Sequence, residues 1–297
     1  MIENINWYPG HMKKTRELIA ENLKMVDMVI EVIDARIPIS SRNPIIDEIV
    51  GEKPRLIVLN KSDLSDEKAN KEWIEFFEKK GQRAMAMNCM SGAGVKELFK
   101  YLERLEAEKN RDRVRAKNFR LMIVGVPNVG KSSLINRMTG KKSTKTGDRP
   151  GVTKGKQWLT LSNGMMLLDT PGILWPKFED PKAGLNLAFC GSIKDEILDT
   201  ESLALELIKV LTRDYPELLM KRYKLDDLYE EGDYSEETGY PLEEDNEIAL
   251  ANMEAIARKR GWIVPGKRID YERTGRTILD EFRASLIGNI TLEKVDD

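Results

Sequence analysis

Eight residues constrain this chain more than any others. Gly125-Val126-Pro127-Asn128-Val129-Gly130-Lys131-Ser132 form a GxxxxGKS loop. The loop follows the apolar run Phe119–Val124 and opens a segment, Gly130–Gly140, that reads as a helix. A strand, a glycine loop and a helix in that order make a phosphate cradle. The glycines let backbone N–H groups turn toward phosphate oxygens, and the helix N-terminus adds a favourable dipole. Lys131 is placed to neutralise the β and γ phosphates, and the Ser132 hydroxyl to ligate Mg²⁺. Pro127, Asn128, Val129, Gly130 and Ser133 complete the expected nucleotide contacts of this loop.

Around the loop, strand and helix signals alternate. Met28–Ile33, Arg55–Leu59, Arg83–Asn88 and Phe119–Val124 read as strands. Asp66–Lys80, with Trp73, Phe76 and Phe77 inward, and Gly94–Glu108 read as helices. Lys156–Leu161 and Met165–Leu168 read as a hairpin turning at Asn163-Gly164. A helix from about Pro9 to Val26 precedes them all. This alternation predicts an α/β domain, a mostly parallel sheet with helices on both faces. Past about Asp180 the strand signal stops, and Leu203–Leu211, Glu243–Arg260 and Ile269–Ile287 are helical by pattern. The expected division is therefore a nucleotide domain at 1–178 and an all-helical domain at 179–297.

Composition excludes several classes. The 297 residues are 41% hydrophobic and 33% charged, too apolar for a disordered chain. Apolar runs stay far below the roughly 18 residues of a membrane span, and the N-terminus has no signal core. Cys89 and Cys190 are far apart and His11 is the one histidine, so neither a disulfide framework nor a structural zinc site is expected. These features predict a soluble cytoplasmic protein. The net charge of −2 hides an asymmetry: residues 1–179 hold 32 Lys and Arg against 23 Asp and Glu, and residues 180–297 hold 16 against 27. Eleven acids and no base fall between Asp226 and Glu247. Basic clusters at Lys109–Arg120, at Lys141, Lys142, Lys145 and Arg149, and at Arg258–Arg260 with Lys267 and Arg268 are compatible with RNA phosphates or with a plain solvated surface. Trp262 reads equally as a base-stacking platform or a core residue.

The base is read elsewhere. Asn60-Lys61-Ser62-Asp63 ends the second strand, at the sheet edge where open α/β folds bind ligands. The Asp63 carboxylate can accept two hydrogen bonds from the N1–H and N2–H₂ edge of guanine, donors that adenine lacks. The nucleotide expected is GTP or GDP. Asp169-Thr170-Pro171-Gly172 follows the hairpin; Asp169 is expected to hold Mg²⁺ through a water, and the Gly172 amide to reach the γ-phosphate. Thr153, in the loop Pro150-Gly151-Val152-Thr153, is the expected second hydroxyl ligand of the metal and the sensor of the γ-phosphate.

Together these motifs resemble the translation-factor-related GTPases, with one difference of order. Here the Asn-Lys-x-Asp motif (60–63) precedes the phosphate loop (125–132), which precedes Thr153 and Asp169–Gly172. That order resembles the circularly permuted GTPases. Trp7-Tyr8-Pro9-Gly10-His11-Met12, Asp34-Ala35-Arg36-Ile37-Pro38 and the terminal Leu279-Asp280-Glu281-Phe282-Arg283 and Gly288–Glu293 extend the resemblance to the ribosome biogenesis GTPase A family, over essentially the whole chain. The resemblance implies GTP hydrolysis coupled to late maturation of the large ribosomal subunit precursor, with the helical domain contacting ribosomal RNA. It implies for His11 the water-orienting role that Ile173 cannot fill, since Ile173 stands where many GTPases carry a glutamine; an RNA contact is the other reading of His11. Asn128 resembles the K⁺-coordinating Asn of potassium-stimulated GTPases, with loop shaping as the alternative. Asn88 and Cys89 are expected at the guanine O6 through the backbone, with Cys89 as a small inert side chain. A docking module that binds GTP and scarcely hydrolyses it is the alternative to the whole reading.

Overall fold

The computed structural model describes residues 17, 19–140, 157–169, 180–193, 195–235 and 238–295. The chain packs as two compact units. One runs up to Ala183 and takes back the tail from Glu293; the other is Gly184–Leu292. The boundary expected at 178/179 lies outside the described residues.

The first unit is built on six strands: β1 (Met28–Asp34), β2 (Arg55–Asn60), β3 (Arg83–Met87), β4 (Arg120–Val124), β5 (Gln157–Thr160) and β6 (Met166–Asp169). Their order is β3-β2-β1-β4-β6-β5. Every pairing is parallel except the β5–β6 hairpin. The first strand in sequence therefore sits inside the sheet, flanked by β2 and by β4, the strand that leads into the phosphate loop. All seven residues of β1 are buried, as both faces of a parallel strand must be when helices cover them. Four helices connect the strands: α1 (Pro44–Val50), α2 (Glu67–Lys79), α3 (Val95–Asn110) and α4 (Lys131–Thr139).

One sheet face carries two apolar clusters. Ile19 and Leu23 from helical residues 19–23, with Ile46 and Val50 from α1, cover Val29, Met122, Val124 and Leu168. Trp73 and Phe77 from α2 cover Ile33, Ile57, Leu59 and Ala84, and Val295 of the returning tail packs against them. Asp66 caps α2, its side chain accepting from the Ala69 amide at 2.7 Å. Between the clusters lies a charge that no hydrophobic pattern announces. Glu31 of β1 is 1% exposed and is bound by Arg42 at 3.1 Å and Arg55 at 3.3 Å. The tail is fastened by Glu293, whose carboxylate accepts from the amides of Ile39 at 2.6 Å and Ser40 at 2.9 Å, while Trp73 Nε1 donates to its carbonyl at 3.1 Å.

The second unit continues α5 (Pro181–Phe189) into α6 (Thr200–Asp214), α7 (Pro216–Tyr223), α8 (Asp245–Arg260) and α9 (Tyr271–Arg283). Leu203, Leu207, Leu211, Met253, Ile256, Ile278 and Phe282 are buried in it. Helices α5 and α7 and a two-residue ladder, β7 (Ile263–Val264) with β8 (Arg268–Ile269), are additions to the expected helices; such short elements leave too little periodicity to read. Trp262 settles as a core residue, 7% exposed and edge-on to Tyr223 at 6.4 Å, so base stacking is corrected to packing. The acidic stretch ends in a capping box, with Glu244 at the N-cap of α8 and Glu247 reaching back. Its loop is anchored by the fully buried Asn252, which accepts from the Tyr229 amide and donates to the Tyr229 carbonyl.

Candidate functional site

The phosphate loop leaves the C-terminal end of β4, beside the ends of β1 and β2. Two of its glycines are there for space. A Cβ on Gly125 (φ 152°) would lie 2.3 Å from the Val32 carbonyl oxygen, and one on Gly130 (φ 101°) 2.1 Å from Asn60 Nδ2. Both conformations are ones that L side chains rarely adopt. Asn128 also has positive φ, 61°, and is exposed at the loop tip. Gly130 hands over to α4, whose first residues are Lys131, Ser132 and Ser133. Lys131 is buried, and its ammonium donates to the Val126 carbonyl at 2.5 Å, folded back over the loop.

Asn60 joins three motifs that lie apart in the chain. Its Nδ2 donates to the Val129 carbonyl at 2.6 Å, and its Oδ1 accepts from the Cys89 amide at 2.9 Å. At 3% exposure it holds the phosphate loop and the loop after β3 in one register. The Cys89 amide, expected at the guanine O6, here donates to Asn60. The Asn88 side chain accepts from the next two amides, Met90 and Ser91, each at 2.9 Å. Cys89 is an inert thiol, pushed up to about 12 by burial against a smaller opposing pull from Arg137. Arg137 of α4 donates to the Cys89 and Met90 carbonyls, tying α4 to the same loop.

Lys61 has φ 61° and places its ammonium 2.8 Å from Asp34 Oδ2. Asp34, at the end of β1, is fully buried and is gripped by Arg36 through Nε at 3.0 Å and Nη2 at 2.8 Å. Burial alone would raise the Asp34 carboxyl; the charges of Arg36 and Lys61 outweigh it and hold the group well below the usual carboxylate range. Asp63 is exposed, and no hydrogen bond or ion pair from a described residue engages its carboxylate. Its loop is braced from beneath: Ser65 Oγ donates to Asn70 Oδ1 at 2.8 Å, and Asn70 Nδ2 donates to the Ser62 carbonyl at 3.2 Å. Asp34, Arg36, Ser65, Asn70 and Arg137 support the site, and none was readable as such. Their signal is a contact across distant segments.

Asp169 closes β6 at the same sheet edge, since β6 runs parallel to β4. His11, Thr153, Gly172, Ile173 and the Asp169 side chain lie outside the described residues. No group of three or more His, Cys, Asp or Glu able to hold a metal occurs among the described residues. Mg²⁺ at a nucleotide takes most of its oxygens from phosphate and water and few from protein. Ser132, half-buried at the second residue of α4, suits one such position.

Known proteins match this arrangement. The family described as "50S ribosome-binding GTPase" matches residues 120–224. A Bacillus cereus protein called ribosome biogenesis GTPase A is 43% identical over 297 residues, covering 99% of this chain and 95% of its own. The GDP-bound structure of YlqF is similar with a TM-score of 0.64 and 28% identity, covering 94% of this chain and 100% of that one. The GNP-bound YlqF from T. maritima has a TM-score of 0.62 and 30% identity, covering 96% and 99%.

Proposed function

The chain belongs to the ribosome biogenesis GTPase A family and is a GTPase, and from that premise we propose that it is a GTP-driven switch in late assembly of the bacterial large ribosomal subunit. In this reading it binds the subunit precursor and its ribosomal RNA in the GTP state, works in the cytoplasm, and is stimulated to hydrolyse by the subunit. The observation that carries the nucleotide assignment is Asn60, which pins the phosphate loop and the loop after β3 to the strand end that presents Asp63.

From these residues the chemistry follows. Asp63 accepts from the guanine N1–H and N2–H₂ edge; adenine offers no matching pair of donors. The guanine O6 falls to the loop at 88–91, where Met90 follows the engaged Cys89 and can offer its amide once Asn88 releases it. Amides of residues 127–133 cradle the phosphates. Lys131 exchanges the Val126 carbonyl for phosphate oxygens, a neutral acceptor for a charged one. Ser132, Thr153 and, through a water, Asp169 would hold Mg²⁺, which supplies charge neutralisation between the β and γ phosphates. Thr153 and Gly172 sense the γ-phosphate. K⁺ is assigned to Asn128, a reading that its exposure at the loop tip supports. Ile173 cannot orient the attacking water, so that task is assigned to His11.

The test is GTP turnover with and without purified large subunits or their precursors, in K⁺ and in Na⁺. Faster turnover with the subunit, and a further gain in K⁺, is expected. Turnover that the subunit leaves unchanged would instead identify a docking module that holds GTP.

A further inference from the structure

We propose that the sheet end opposite the nucleotide loops carries a second anion site, a basic groove that binds the phosphodiester backbone of RNA. The inference deepens the proposed function, on which it rests, by naming a surface for the RNA partner. The groove has a volume of about 670 Å³ and is lined by Lys24, Asp27, Lys109, Arg113, Lys117 and Arg120. It opens where β1 and β4 begin, whereas the nucleotide loops leave where those strands end. The seven residues of β1, at about 3.3 Å each, put roughly 20 Å between the two.

Most of the charges here lack an acidic partner; Arg120 lies over the Trp158 ring, 5.4 Å from its centroid. Asp27 is the groove's one acid, and it is taken: Lys109 binds it at 2.5 Å and the Arg120 amide donates to it at 2.9 Å. Among the described residues no acid pairs with Lys24, Arg113, Lys117 or Arg120, nor with Arg111 and Arg115 on the same loop. Some exposed cations at other places in the chain do meet acids, as Lys71 does with Glu67 and Arg276 with Glu272. Like charges gathered around one concavity repel each other, and an anionic occupant removes that repulsion.

The loop that carries them is built in advance. The Asn110 carboxamide accepts from the Lys117 amide and donates to the Lys117 carbonyl, both at 3.1 Å. Glu106 accepts from the Phe119 amide at 3.0 Å, and Arg113 Nε donates to the Lys109 carbonyl at 3.2 Å. Residues 111–118 are nonetheless all exposed, so the backbone is clasped while the cations face water. Asn118 adds a carboxamide that can reach a base or ribose, and Met25 and Met166 add a small apolar floor. A linked row of phosphates with sugar and base edges matches such a lining. A lipid surface matches it less well, since Val114 is the one large apolar side chain that residues 111–118 expose for insertion.

The test uses the full chain with a non-hydrolysable GTP analogue and Mg²⁺, and no ribosome. Binding of a fluorescein-labelled RNA hairpin of about 24 nucleotides is read by anisotropy across a KCl series. The variant is the triple Lys24→Ala, Arg113→Ala, Lys117→Ala, whose side chains are exposed and outside the GTP site. Its control, Lys68→Ala, Lys71→Ala, Arg276→Ala, removes the same charge from paired positions. The groove triple should weaken binding about 10- to 100-fold. It should make the log–log salt slope shallower by about 2–3, at roughly 0.7–0.9 per lost phosphate contact. The control should change neither, and GTP binding should stay intact in both. Equal loss in both triples would reduce the effect to net charge and overturn the proposal. So would loss of binding to anionic vesicles (70:30 phosphatidylcholine and phosphatidylglycerol) with RNA binding unchanged, which would make the groove a membrane contact. A wild type that does not bind the hairpin also overturns it, while subunit-stimulated turnover, measured separately, would still stand for the proposed function.

Discussion

Replacing Asn60 with alanine should release two loops at once. Asn60 is 3% exposed, and its partners Val129 and Cys89 are at 0% and 1%. Truncation leaves the Val129 carbonyl and the Cys89 amide unpaired. Each such orphan costs about 1–3 kcal/mol, so the pair costs about 2–6. A water drawn into the vacated space brings the total to about 2–4 kcal/mol. Hydrogen exchange read on peptides covering 86–92 and 125–134 should then speed up roughly 30- to 900-fold, at 1.36 kcal/mol per decade. Asn60→Asp separates the two bonds. It keeps an acceptor for the Cys89 amide and sets a carboxylate against the Val129 carbonyl, so only the phosphate loop should loosen. Because Asn60 holds two protein loops together, Asn60→Ala should weaken GTP and GDP alike without admitting ATP. Unchanged exchange at 86–92 in the alanine variant, or a gain in ATP binding, would refute the reasoning.

Four further predictions follow from named groups. Asp63→Asn should favour xanthine nucleotides, whose C2 carbonyl accepts from the amide; competition among GTP, ATP and XTP checks it, and a wild type that binds ATP as tightly as GTP contradicts it. Arg36→Met should cost about 3–5 kcal/mol at pH 7, because it leaves the buried Asp34 charge to Lys61 alone. In the wild type Asp34 stays ionised when folded while the unfolded chain takes up a proton, so urea midpoints should hold between pH 5 and 8 and fall as pH drops below about 5; a variant with the wild-type midpoint at pH 7 counts against it. Cys89, buried and pushed up to about 12, should resist a disulfide reagent for minutes at pH 8 in the native protein and react at once in guanidinium, and prompt native labelling would show the loop to be open. His11→Ala should leave GTP binding nearly intact and lower subunit-stimulated turnover about 10²–10³-fold, whereas lost subunit binding with unchanged turnover per complex would make His11 an RNA contact.

Much of the fold is legible because its signals are local. The strands at 28–34, 55–60, 83–87 and 120–124 are mostly apolar runs, and α2 and α3 repeat their apolar residues at helical spacing. The glycine loop, Asn-Lys-Ser-Asp and the Asp169 turn each end a strand, so their chemistry and their order could be read along the chain. Short elements such as α1 and the β7–β8 ladder could not, since two helical turns or a two-residue strand carry too little periodicity.

What the sequence determines by itself is which residue types stand at strand ends: a glycine loop running into Lys131 and Ser132, and the carboxylates of Asp63 and Asp169. What tertiary structure alone decided is who holds them there. Asn60 reads along the chain as part of the base motif; in space it is the staple between Val129 and Cys89, 69 and 29 residues away. Glu31 lies in an apolar strand and is tolerable only because Arg42 and Arg55 arrive from other segments. Glu293 returns from the far end of the chain to cap amides at Ile39 and Ser40. The physical reason is common to all three. Periodicity and turn chemistry act between neighbours in sequence, whereas a buried polar group must find its partner wherever the fold brings one, and sequence spacing carries no record of that distance.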